Sequence, residues 1–350
     1  MAALCYENAM KAIAIVEKLP LDDPKCFVEL ELPKPASGPR DLLVRVKAVS
    51  VNPVDYKVRQ RRSAAAREPQ ILGWDAAGIV EAIGSEVSLF KPGDEVFYAG
   101  DITRPGSNAE FQAVDERIVA RKPRTLLFAE AAALPLTTIT AWEALFDRLN
   151  IAPEKRPEHR ERSVLIIGGA GGVGSIAIQI ARQVAGLTVI ATASRKESID
   201  WCRSLGADHV IDHRQPLLAQ LKTFGVGEVD YILCFNDTDQ HWAGMAEAVK
   251  PQGRICSIVE NENPLNLGLL KSKSAGFVWE FMFTRSKFQT PDMIEQSRLL
   301  TRVAELVEHK ILRTTNTETV GHLTAENLAL VHRRIESGRT IGKLTLTVIV

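Results

Sequence analysis

Histidine is missing from the first 158 residues of this 350-residue chain; all seven lie between His159 and His332. Cysteine is sparse and scattered. Cys5, Cys26, Cys202, Cys234 and Cys256 each stand more than twenty residues from the next, which excludes a C-x-x-C pair, a zinc ribbon and a dense disulfide framework. Excess charge is absent too: 43 Lys+Arg balance 43 Asp+Glu, so bulk electrostatics offers no attraction to nucleic acid or to an anionic membrane. No apolar run reaches the ~18 residues of a membrane span. The opening MAALCYENA carries Glu7 and lacks the basic start and apolar core of a signal peptide. It reads as a short extension before Met10, on a chain expected in the cytoplasm.

What is present is ordinary for a soluble protein: 45% hydrophobic and 25% charged residues, with a length that suggests about two domains. From Lys11 to about Arg121, short apolar runs such as 42–46 and 77–80 alternate with turn signals, among them Ser37-Gly38-Pro39 and Lys91-Pro92-Gly93-Asp94. This segment predicts a β-rich unit, a partly closed barrel. The basic stretch 59–67 reads as a solvated, mobile loop. Residues 129–149 have helical spacing broken at Leu134-Pro135-Leu136.

From Ser163 strands and helices alternate. Apolar runs at 164–167, 187–191, 209–211, 229–235 and 254–259 are separated by helical stretches that include 176–184 and 197–205, the latter stopped by Gly206. That order predicts right-handed βαβ units and a doubly wound parallel sheet. Farther on, a helix is expected from an N-cap at Thr290 to about His309, another over 325–336, and an alternating strand over 343–348. The terminal strand needs a sheet, and the β-rich half is its expected host. The domains then run 1–135 plus 290–350, and 136–289.

The sharpest motif is Gly168-Gly169-Ala170-Gly171-Gly172-Val173-Gly174, placed after a buried strand and before a helix. Gly169, Gly171 and Gly174 fit G-x-G-x-x-G: a tight turn, close backbone approach to a pyrophosphate, and close helix–strand packing. A plain turn is the competing reading. The second strand ends Ala193-Ser194-Arg195-Lys196, with no acid before Glu197. An NAD site wants an acid there, whereas a hydroxyl and two cations suit a 2′-phosphate, so NADPH is favoured over NADH. Ser194 also reads as a helix N-cap. His213, after the next strand, flanks the adenine ribose or is a plain surface histidine.

These motifs, with Ser50-Val51-Asn52-Pro53-Val54-Asp55-Tyr56-Lys57, Leu72-Gly73-Trp74-Asp75-Ala76-Ala77-Gly78 and Lys91-Pro92-Gly93-Asp94-Glu95-Val96 in this order, resemble the medium-chain dehydrogenase/reductases. The zinc-free quinone oxidoreductase branch, with bacterial proteins labelled zinc-type alcohol dehydrogenase-like, is the best likeness. The resemblance implies an α/β chain with a GroES-like partly closed β-barrel domain, an inserted Rossmann domain and a cleft between them. It places Asn52, Asp55, Tyr56 and Thr140 at the reacting centre. Asn236, a backbone group near Ile258, and Lys343 fall beside the cofactor. Homodimers are the habit of the family.

Zinc members carry a ligand Cys where this chain reads Asn52–Asp55, and Gly-His-Glu where it reads Gly73-Trp74-Asp75. Without those ligands, and with no histidine in the β-rich half, no zinc is expected. Hydride delivery to a carbon that is already electrophilic, in a quinone or an α,β-unsaturated carbonyl, is the chemistry left open. Tyr56 is the best hydrogen-bond or proton donor for it. Asn52 and Asp55 either join it or hold a local turn. Trp74 either lines the substrate pocket or packs in the core. Phe277, Trp279, Phe281 and Phe283 form a period-two stripe that fits a substrate wall, a buried strand or a dimer contact. A zinc-type alcohol or aldehyde dehydrogenase, and a non-catalytic NADPH-binding sensor or RNA-binding protein, are the competing functions.

Overall fold

In the computed structural model, residues 9–349 are described. Cys5 and the expected extension as far as residue 8 lie outside them. The chain forms two compact units, Met1–Leu136 with Phe283–Val350, and Thr137–Met282. The crossings fall at 136/137 and 282/283, against 135/136 and 289/290 in the sequence reading.

The first unit begins with β1 (Ala9–Ile15), β2 (Val28–Pro33), β3 (Asp41–Ser50), β4 (Gln70–Ile71), β5 (Ala76–Ile83), β6 (Glu95–Tyr98), β7 (Phe111–Asp115) and β8 (Val119–Arg121). The second unit carries β9 (Ser163–Ile167), β10 (Thr188–Thr192), β11 (His209–Ile211), β12 (Val229–Cys234), β13 (Val249–Ser257) and β14 (Gly276–Trp279). The chain then returns to the first unit with β15 (Asn316–His322) and β16 (Lys343–Thr347).

Two sheets build the first unit: β2-β1-β4, and β15-β16-β3-β5-β6-β8 with β7 attached to β3. The long strand β3 is the fork. One edge carries β5 over Leu42–Val49. The other is shared by β7 over Asp41–Arg45 and by β16 over Ala48–Ser50, so the sheet splits there and curls. The terminal strand thus lies between β15, parallel to it, and β3, antiparallel to it. Beneath the smaller sheet, Met10, Ala12, Ala14, Ile71, Ala109 and Phe111 form a core.

The second unit is one parallel sheet in the order β11-β10-β9-β12-β13-β14. Chain order reverses direction beside β9, which puts a topological switch point between β9 and β12. All five residues of β9 are buried, as expected for a strand covered on both faces. Leu165, Ile190, Ile232, Trp242, Met245 and Ile255 belong to its core. Among the described residues no helix is long and apolar enough to cross a membrane.

Several expectations need correction. The basic stretch is not a solvated loop at its start, because helix Pro53–Arg61 takes it in and Arg59 and Arg62 are buried. Arg59 bonds Glu336 and the Cys26 Sγ, and Arg62 donates to the carbonyls of Val16 and Glu68. A charge run shows no partners in sequence, and Glu336, Cys26 and Val16 lie 277, 33 and 46 residues from the arginines they meet.

The helix expected from Thr290 starts at Glu295 instead. Met293 donates to the Thr290 carbonyl and Gln296 to that of Met293, so tight i→i+3 turns occupy the segment first. Ser194 is not the N-cap. That position belongs to Arg195, ahead of helix Lys196–Ser204, with no side-chain cap bond. The aromatic stripe ends with β14: Phe277 packs edge-on against Trp242, Phe281 is exposed, and Phe283 belongs to the first unit.

Candidate functional site

In the first unit the residues around Asn52 are buried to a degree unusual for polar groups. Asn52, Asp55, Asp75 and Lys343 are each at most 3% exposed. Asn52 precedes helix Pro53–Arg61, whose first residue is a proline with no N–H to satisfy. Asp55 reaches back to the Asn52 N–H at 2.5 Å, the return half of a capping box.

Asp75 follows a turn that Gly73 makes at φ +96°, where a Cβ would stand 2.6 Å from Asn108 Oδ1. Its Oδ1 accepts from the Leu136 N–H at 3.1 Å, and its Oδ2 from Asn52 Nδ2 at 3.0 Å. The Lys343 ammonium completes the cluster. It donates to the Val51 carbonyl at 2.9 Å and to Asn52 Oδ1, and stands 3.2 Å from Asp75 Oδ2. Asp55 Oδ1 makes no well-formed hydrogen bond, and the Gly73 N–H is the further backbone donor beside this carboxyl.

Burial dominates the electrostatics of this cluster. It pushes the Asp55 carboxyl up to about 7 against the pull of the Asn52 N–H and the Lys343 charge, and Asp75 adds to the rise. Burial likewise raises Asp75 and lowers Lys343.

Tyr56, on the same helix, is half-buried. Burial first, and the Glu336 charge second, hold its phenol above the usual range, so it stays protonated as a donor. Trp74 resolves to core: it is 2% exposed, its indole N–H is spent on the Asp101 carbonyl at 3.0 Å, and Phe283 meets it edge-on. Phe281 is 43% exposed and lies in the second unit.

Lys343 does not serve as a free cation for a cofactor, because its three N–H donors are committed inside the first unit. Zinc needs Cys, His or carboxylate donors and an open position. Here an amide and two carboxylates already surround an ammonium, and a divalent ion would meet its charge. The residues do not fit a metal, and among the described residues no His/Cys/Asp/Glu group of three or more could hold one.

In the second unit the glycine loop joins β9 to helix Gly172–Gln179. A Cβ at Gly174 would stand 2.2 Å from the Gly168 carbonyl oxygen, and one at Gly169 2.8 Å from the Ala191 Cβ, so helix and strand approach only because both are glycine. At Gly171 a Cβ would meet nothing nearer than 3.5 Å. Packing does not demand that glycine, and the space it leaves is open to a ligand backbone at the helix N-terminus. Ala170 is buried, and Gly172 and Val173 open the helix.

Past β10, Ser194 and Arg195 are partly exposed, while Lys196 is paired with Asp200 at 2.5 Å. Sequence reasoning missed Arg214. Its guanidinium donates to the Ser194 carbonyl at 3.3 Å and holds Asp212, bringing a cation beside Ser194 from the next strand's end. An Asp-x-Arg pair after a strand was the available signal. His213 faces His241 edge-on at 6.2 Å, and Asn236 is exposed just past β12. Ile258 follows β13, where the Thr238 hydroxyl bonds Ser257 and the Val259 carbonyl. Thr140 is buried in helix Pro135–Trp142. A nicotinamide dinucleotide fits this loop and these strand ends.

Comparison with known proteins supplies relatives along the chain. The family model for the alcohol dehydrogenase GroES-like domain matches residues 38–124, and that for zinc-binding dehydrogenases matches 205–346. A zinc-type alcohol dehydrogenase-like protein of Staphylococcus aureus (strain MSSA476) is 45% identical over 97% of this chain and 100% of its own. An NADPH-dependent alkenal/one oxidoreductase of Arabidopsis thaliana is 40% identical over 51% of this chain and 47% of its own.

Among solved structures, a putative zinc-dependent alcohol dehydrogenase of Rhizobium etli CFN 42 superposes with a TM-score of 0.93 at 52% identity, covering 98% of this chain and 99% of that one. The quinone oxidoreductase of Coxiella burnetii gives 0.79 at 28% identity, over 97% and 100%.

Proposed function

The chain belongs to the medium-chain dehydrogenase/reductases, oxidoreductases that bind a nicotinamide cofactor, and from that premise we propose that it is an NADPH-dependent reductase of quinones or α,β-unsaturated carbonyls that works without zinc. The observation that carries the cofactor choice is the end of β10. Ser194 and Arg195 stand there with Arg214 alongside, and the nearby acid Asp212 is taken up by Arg214. A hydroxyl with two guanidinium groups beside it suits a 2′-phosphate.

Gly169 to Gly174 would hold the pyrophosphate, and the segments at Asn236 and Ile258 the remainder of the dinucleotide. Bound there, the cofactor supplies a hydride. Quinones and enones accept it because the negative charge moves onto an oxygen, and a hydrogen-bond donor at that oxygen is what the protein must add. Tyr56 is the donor we assign, since burial keeps its phenol protonated. Asn52 and Asp55 shape the helix start that carries it. The alkenal/one and quinone activities in the names of two of the relatives fit this reading. A second copy is the proposed partner: β14 is an edge strand with Trp279 41% exposed, a surface suited to pairing.

The test is a panel of quinones and enones, with oxidation of NADPH and NADH followed in parallel. NADPH should be preferred at least tenfold, and Arg195→Glu should reverse most of that preference. Equal rates with NADH would remove the cofactor assignment, and no turnover of any acceptor would remove the reductase assignment.

A further inference from the structure

Two carboxylates and one ammonium share the buried cluster of the first unit, and the contacts of the ammonium join three separate stretches of chain. Val51 and Asn52 come from the end of β3 and the helix entry, Asp75 from the turn before β5, and Lys343 from β16. Buried charge of this kind is retained only where it is paired and hydrogen-bonded. Asp75 is fully served by the Leu136 and Asn52 N–H groups and by the ammonium. Asp55 makes one well-formed hydrogen bond, from the Asn52 N–H, with the Gly73 N–H as its other backbone neighbour, and is the less fully served of the two carboxyls; one proton on the pair brings the three charges to neutrality. The charged groups in the cluster are Asp55, Asp75 and Lys343; its other contacts are the Asn52 amide and backbone groups.

We propose that Lys343 is the resident cation of this site: its ammonium stands among Asn52, Asp55 and Asp75, at the positions where zinc members of the family carry their metal ligands, and it positions the helix that carries Tyr56. A tethered cation differs from a metal in two respects. It cannot dissociate, and with its donors filled by the protein it has no open position for a substrate oxygen. Only its positioning of Tyr56 bears on the reductase reading; its place among the carboxylates does not depend on the substrate.

The experiment needs no substrate. Wild type, Lys343→Met, Asp75→Asn and the double variant are melted across pH 5–9, and wild type is titrated with Co²⁺, a spectroscopic stand-in for zinc. Lys343→Met should lower Tm by roughly ten degrees near neutral pH, as expected for a buried charge stripped of its partner. Its Tm should recover toward acid, because both carboxyls then keep protons to higher pH, and the fall of Tm with pH should end above the wild-type window. Asp75→Asn should move that window the other way, and the double variant should regain most of the lost Tm.

A purely packing role predicts that Lys343→Met and Asp75→Asn lose the same Tm at every pH; that result overturns the proposal. Stoichiometric Co²⁺ binding by wild type that Asn52→Ala abolishes overturns it as well, and this measurement stands even if Lys343→Met fails to fold.

Discussion

Single side chains in this protein are often buried with their polar atoms only partly matched, and His332 is the extreme. It is 0% exposed, Phe27 meets it edge-on at 4.9 Å, and neither ring nitrogen has a partner. Burial, reinforced by the Arg59 charge, holds its imidazole down at about 3, against 6.5 in the unfolded chain. Between those values the unfolded chain binds the extra proton, so stability falls as pH drops from about 6.5 toward 3. His332→Leu removes both the unmatched nitrogens and that linkage. In urea unfolding the variant should gain on wild type at pH 4 by more than at pH 7; an equal difference at both would rule out the linkage.

At the scale of elements, the segment after helix Pro135–Trp142 is a π-helix, Glu143–Arg148. Glu143 and Glu280 are buried together in the second unit, with Arg148 Nε 2.7 Å from Glu280 Oε2 and its Nη2 3.7 Å from Glu143. Burial first, and the Glu143 charge second, push the Glu280 carboxyl well above the usual range, so it is protonated when folded. The unfolded chain loses that proton near 4.5, and stability therefore declines as pH rises beyond that value. Glu280→Gln, which mimics the protonated group, should flatten the decline of Tm between pH 5 and 8.5. A slope unchanged from wild type would count against a buried proton.

Elements whose cause is local were legible in the sequence. The all-apolar 164–167 became β9, the glycine string became the strand-to-helix turn, and Gly206 ends its helix at φ +107°. What was not legible depends on distant partners. Lys343 reads as the first residue of a terminal strand, and nothing near it announces an Asn52 that is 291 residues away. Arg59 and Arg62 read as solvated for the same reason. Asn52 and Asp55 were visible as a pair at capping spacing. The sequence left open whether they hold a turn, and the structure shows the turn.

For the whole molecule, the division into two units concentrates the proposed nucleotide contacts in Thr137–Met282. A ligand held by the folded state alone adds about 2.7 kcal/mol at a hundredfold excess over Kd. Calorimetry with saturating NADPH should raise Tm by several degrees, and NADH at the same concentration by less. An unmoved transition would oppose nucleotide binding.

The placement of β16 carries a last consequence, for synthesis. The chain is made from its N-terminus, and the whole nucleotide-type unit is complete before Lys343 has been added. Until then Asp75 and Asn52 have no ammonium between them, and β3 lacks the neighbour that fills the second half of its edge. A chain that stops early therefore holds an intact glycine loop and an unfinished first unit. β16 thus acts as the closing key of the first unit: a chain that stops before it carries the glycine loop but lacks the ammonium that Asn52 and Asp75 share.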